Sequence, residues 1–151
     1  MNQLGTFKSM RNHVFIFLGL ILAQFWLGMT INLEVVLPTL HYSGLSALLF
    51  YSVHFWQVLA HIVLAIIVLT VSVRFLMLSF GTQSRVLQII GIIGLVAIVS
   101  AIFNGIEFLL SGQFFGNSIG MAMSGVSAVV TYAVALYFLG SIFSESVAPR
   151  I

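Results

Sequence analysis

The chain carries five Lys and Arg side chains, Lys8, Arg11, Arg74, Arg85 and Arg150, and all five fall outside four long apolar stretches. Threading those stretches back and forth across a bilayer puts every cation on one side. This pattern constrains the fold more tightly than any other, because Lys and Arg collect on the cytoplasmic side of a membrane. Charged residues make up 5% of the chain and hydrophobic ones 61%, and the mean hydropathy is +1.21. A water-soluble domain of that composition would have to coat itself in apolar side chains. The sequence therefore describes an integral membrane protein.

A helix needs roughly 20 apolar residues to cross ~30 Å of hydrocarbon, and 151 residues hold four such segments with little left over. The expected spans cover about 13–31, 46–73, 86–110 and 118–143. They make an all-α, integral membrane four-helix bundle in up-down-up-down order, a single transmembrane domain over 1–151. The first stretch reads as a span and not as a removable signal, since no small-residue cleavage site precedes Pro38 and further spans follow at once. The expected placement is multi-pass in the cell membrane with both termini cytoplasmic. The loop that holds Glu34 and His41 then faces out, together with Gln113 and Asn117. The third link, "SGQFFGN", is short enough to make the last two spans antiparallel neighbours. The absence of cysteine excludes disulfides, thiolate metal sites, iron–sulfur clusters and c-type haem. The pI near 9.4 comes from a few juxtamembrane cations that serve orientation, so nucleic acid is not an expected partner.

Inside a bilayer the polar residues carry the information, because each is costly there. His54, Gln57 and His61 sit three and four apart in the second span, which puts them on one face of a continuous helix. Ser100, Asn104 and Glu107 form a similar face in the third, and Gln24 lies near the centre of the first. At ~1.5 Å per residue, His61 falls near the midplane and His54, Asn104 and Glu107 toward the outer surface. Met121, Met123 and Ser124 of the fourth span lie at similar depth. The expectation is an outer-half pocket built from Gln24, His54, His61, Asn104 and Glu107.

Three uses of that pocket compete. Polar residues on facing helices hold bundles together, at about 0.6 kcal/mol each on average. A b-type haem would need His ligands, with Met as a substitute, and a quinone would use His and Glu as proton partners. Copper would take His54, His61, Met121 and Met123, since imidazole and thioether suit that metal. A separate feature is the ridge of small residues Gly116, Gly120, Ser124 and Ala128, which recurs every four residues and invites close packing of another helix, in this chain or a second one.

The pieces "FWLGMTINLEVVLP", "LAHIVLAIIVL", "FNGIEFLLSG" and "SIGMAMSG", in this order, resemble a family of small four-span membrane proteins from actinobacteria and archaea that has no established activity. The resemblance covers most of the chain, implies the four-helix layout and singles out Asn32, His61, Asn104 and Gly105. Members of that family often carry a small residue where Glu107 stands. The layout is also loosely similar to one half of haem A synthase, in which four helices hold a haem. That enzyme's Glu-x-x-His-Arg signature is missing, since "WQVLA" precedes His61 and Ile62 follows it, and the last span has no axial His. This second similarity implies architecture alone. The function expected from the sequence is that of a non-catalytic subunit in a larger membrane complex, a respiratory redox assembly first among them. A stand-alone haem- or quinone-binding redox protein is the alternative, and a copper-binding subunit follows.

Overall fold

The computed structural model describes residues 3–37, 44–111 and 113–147. Five helices follow in order: α1 Gln3–Glu34, α2 Leu45–His54, α3 Trp56–Gly81, α4 Arg85–Leu110 and α5 Phe115–Val147. Four of them, all but α2, are long and apolar enough to cross a membrane. Each long helix packs on two others, so that α1–α3–α4–α5 closes into a ring with α5 back against α1. The expected all-α, up-down-up-down four-helix bundle is the fold. Lys8, Arg11, Arg74 and Arg85 lie toward the end where α1 and α4 start and α3 finishes, here called the basic end. Glu34 and Glu107 lie toward the far end. His41 and Arg150 fall outside the described residues.

The buried positions alternate at spacings of three and four. Met10, Val14, Phe17 and Ile21 on α1, Val68, Ser72, Phe75 and Ser79 on α3, and Ala128, Tyr132, Ala135 and Leu139 on α5 all follow that rule. This is the seam by which helices pack at a shallow angle, knobs into holes. The opposite faces carry exposed Phe, Leu, Ile and Val residues, as helices facing lipid must.

The two halves of the bundle are filled differently. Near the basic end, Tyr132 is wholly buried, with the rings of Phe17 and Phe75 edge-on at 4.4 and 5.3 Å. Its hydroxyl meets Ser72 Oγ at 2.7 Å. Gly94 makes room for that ring, since a Cβ there would stand 2.7 Å from three of its atoms. Toward the far end the inward positions are small instead: Gly28, Ala65, Ala101, Gly105, Ala122 and Gly125 all line a cavity. Large side chains at one depth and small ones at another leave one half of the bundle packed and the other hollow.

The second expected span, 46–73, is not one helix. It breaks at Phe55, whose extended backbone (φ −125°, ψ 99°) separates α2 from α3. Neither Pro nor Gly marks the break. The 26 residues of α3 already measure about 39 Å, enough to cross the hydrocarbon. Folded back over α3 and α4, α2 buries Ala47 and Tyr51 against Val58, Phe108 and Leu109. Gly44 starts it in the left-handed region at φ 60°, where a residue with a side chain is strained.

The far end is also tied by a clip. Gln113 Nε2 donates to the Val35 carbonyl at 2.7 Å, and Leu37 N donates to Gln113 Oε1 at 3.3 Å. One amide side chain thus occupies a main-chain donor and acceptor just past α1. At the other end, Ser84 caps α4 by accepting from Leu87 N at 3.5 Å, the role expected of Ser at that position.

Candidate functional site

The cavity in the far half has a volume of about 390 Å³, within the range of small-molecule pockets, roughly 300–1,000 Å³. Its walls are almost wholly apolar and come from all five helices. Gln24 of α1 and His61 of α3 supply the polar exception inside it. Met121 also lines it, with Asn32 and Ser118 nearer the far end.

Gln24 and His61 meet because α1 has no side chain at Gly28. A Cβ at that position would stand 3.1 Å from His61 Cε1, so a larger residue there would press on the imidazole and make it give by a few tenths of an ångström. Gln24 Nε2 is 3.1 Å from His61 Nε2 and 3.2 Å from the His61 carbonyl oxygen. Two atoms of the pair, Gln24 Oε1 and His61 Nδ1, are buried and have no partner among the described residues. An unpartnered buried donor or acceptor costs about 1–3 kcal/mol, so the pair carries a polar capacity that the folded chain leaves unused.

The remaining expected site residues are distributed otherwise. His54 closes α2 beyond the break, exposed, stacked on Phe50 at 4.1 Å, with Nδ1 donating to the Phe50 carbonyl at 2.9 Å. The three-and-four spacing from His54 to His61 does not survive the extended Phe55, so the two imidazoles do not share a face. The same break sets His61 five residues into α3, about 8 Å from its start. Glu107 is exposed on the outside of α4. Met123 is 63% exposed, and Met121 alone of the pair lines the cavity. Among the described residues no three His, Cys, Asp or Glu side chains gather as metal ligands would.

Asn104 belongs to a different polar cluster. Its Nδ2 donates to the Ser100 carbonyl at 2.8 Å, and Ser124 Oγ donates to Ser100 Oγ at 3.0 Å. A Cβ on Gly120 would overlap the Asn104 carboxamide. The small-residue ridge is thereby taken up inside the chain: Gly120 and Ser124 fit against α4, and Ala128 is fully buried. Gly116 at its end is exposed.

The residues that sequence reasoning missed are those that make the hollow. Ala65, Ala101, Ala122 and Gly125 are ordinary in any apolar span, and only the pairing of helices shows that they meet at one depth. The chain matches no known protein family, no curated protein and no solved structure.

Proposed function

We propose that this chain is a non-catalytic membrane protein that holds a lipid-soluble ring compound of the quinone class in its far-half cavity, and that it serves a respiratory redox assembly by doing so. One observation carries the reading: an apolar cavity of about 390 Å³ whose wall includes the unsaturated Gln24–His61 pair. An apolar body fits the Ile, Leu, Phe and Met walls, and the Gln24 and His61 side chains are the polar groups in the wall beside it. With Lys and Arg in the cytoplasm, the cavity lies in the outer half of the cell membrane, where such a molecule arrives through the lipid.

Haem is the poorer occupant. His61 Nε2 already faces Gln24, and its Cε1 edge rests on α1 at Gly28, which leaves little room for a macrocycle over either ring nitrogen. His54 faces outward and offers no second axial imidazole. Copper finds His61 and Met121 without His54 or Met123 beside them.

The rival is that Gln24 and His61 merely tie α1 to α3, for which their two hydrogen bonds speak. Organic extraction of the detergent-purified protein, followed by ultraviolet and mass spectrometry, separates the two. The binding reading expects one lipid-soluble chromophore that Ala101→Leu, a variant that fills the cavity, no longer retains. No extractable compound, together with no saturable binding of an added tailed naphthoquinone, would leave only the tie.

A further inference from the structure

The cavity runs along the seam between α3 and α4. Near the basic end that seam is shut: a Cβ on Gly91 would stand 2.9 Å from Leu76 Cδ1 and 3.3 Å from Leu76 Cα. Ile98 and Ile102 follow Gly91 by seven and eleven residues, and Leu69 and Ala65 precede Leu76 by seven and eleven, so each pair continues one of the two meeting faces toward the far end. All four line the cavity. Beyond them α2 packs on α3 and α4 together and adds Leu48 to the wall. Ala47 and Tyr51 of α2 are buried in one cluster with Val58, Phe108 and Leu109. The outer face of α2 presents Leu45, Leu49 and Val53, four residues apart and all exposed.

Resting on the proposed occupancy of this cavity, we infer that α2 is its lid: it swings on Phe55 and admits the lipid-soluble compound from the bilayer between α3 and α4. The hinge is complete on both sides. Phe55 N donates to the Tyr51 carbonyl at 2.9 Å and closes α2, while the Phe55 carbonyl accepts from Val58 N at 3.0 Å and Leu59 N at 3.2 Å and opens α3. Because φ and ψ of Phe55 lie between those two sets of bonds, turning them breaks neither, which is how a hinge residue absorbs a motion. At the other end of α2, Leu48 N donates to the Gly44 carbonyl at 3.3 Å, and glycine adapts its backbone with no Cβ to obstruct it. The side-chain bonds of Ser52 and His54, to the Leu49 and Phe50 carbonyls, travel with α2. The cluster that holds α2 on α3 and α4 is apolar. In a bilayer such contact is cheap to exchange, since acyl chains are as apolar as the surfaces that part.

The test follows association and release of a short-tailed naphthoquinone on the full chain in lipid nanodiscs, by stopped-flow quenching of tryptophan fluorescence. Tyr51→Ala removes a buried lid contact that is not part of the cavity wall. Both rate constants should rise about tenfold while their ratio stays within about twofold, because a lid that costs about 1.4 kcal/mol less to open speeds entry and exit alike. The second arm is Ala47→Cys with Phe108→Cys, a pair from α2 and α4 in a chain that has no other cysteine. Joined by a short bis-methanethiosulfonate linker, it should stop exchange of the bound probe, and reduction of the linker should restore it. Unchanged rates in Tyr51→Ala, or faster release without faster association, would make α2 a fixed wall and overturn the lid. Exchange in the linked protein as fast as in the reduced one would overturn it too. Each of these outcomes retains saturable binding and leaves the cavity reading standing, whereas no saturable binding of the probe to the unsubstituted protein would sink both.

Discussion

Ser72 and Tyr132 share one hydrogen bond, yet removing either partner should cost different amounts. Both are completely buried, and the 2.7 Å bond is walled by Gly94, Phe17 and Phe75. Ser72→Ala leaves a phenolic hydroxyl with no water and no partner, a loss of about 1.5 kcal/mol within the usual range for an orphaned group. Tyr132→Phe leaves Ser72, whose hydroxyl can turn to the carbonyl one turn back on its own helix, so the loss is about 0.5 kcal/mol. The double variant has no orphan and should sit near the Tyr132→Phe value. The coupling energy from the cycle is then about 1–1.5 kcal/mol, toward the upper end of what interhelical hydrogen bonds give in a bilayer. Equilibrium unfolding in mixed detergent micelles with increasing SDS measures all four proteins. Equal losses for the two single variants, or additive losses in the double, would refute a dry, mutually dependent pair.

Three further outcomes follow from the packing. Gly120→Ala should lose about 1–3 kcal/mol through overpacking on Asn104, and Gly120→Ala with Asn104→Ala should recover most of it in the same unfolding assay; a neutral Gly120→Ala would mean the ridge is not packed on α4. Gln113→Ala frees the Val35 carbonyl and the Leu37 amide, so it should cost about 1–2 kcal/mol and speed hydrogen exchange at Leu37, whereas unchanged exchange would rule out the clip. Orientation follows from the cations: Cys at Gly81 should resist an impermeant thiol reagent in intact cells while Cys at Leu45, 71% exposed at the far end, reacts, and the reverse pattern would invert the topology.

What the sequence made legible follows the strength of the physical signals. Four spans could be placed because apolar runs and the side of the cations are set by the bilayer itself. The meeting of Gln24 and His61 was legible as two polar residues in neighbouring spans. The break was hidden because α2 is as apolar as α3 and no helix breaker separates them, so a 28-residue run, 46–73, reads as one helix. His54 was misplaced for that reason alone. Tyr132 gave no sign of its place at the centre, because its burial depends on Gly94 and Ser72, residues on two other helices that must first be paired in depth and rotation. The partner of the Gly120–Ser124–Ala128 ridge was open for the same reason, and it proved to be α4 of the same chain.

The claim that the far-half hollow holds a lipid-soluble molecule is tested most directly by photolabelling in membranes. A tailed naphthoquinone that bears a diazirine is irradiated with the protein in native membranes, and the modified peptides are mapped. The account predicts label on cavity residues of three helices, Phe25 and Gly28, Ile62 and Ala65, and Met121 and Ala122, all displaced by excess unlabelled compound and lost in Ala101→Leu. Label confined to outward residues such as Val96, Phe103 and Val130, not displaced by competitor, would contradict it.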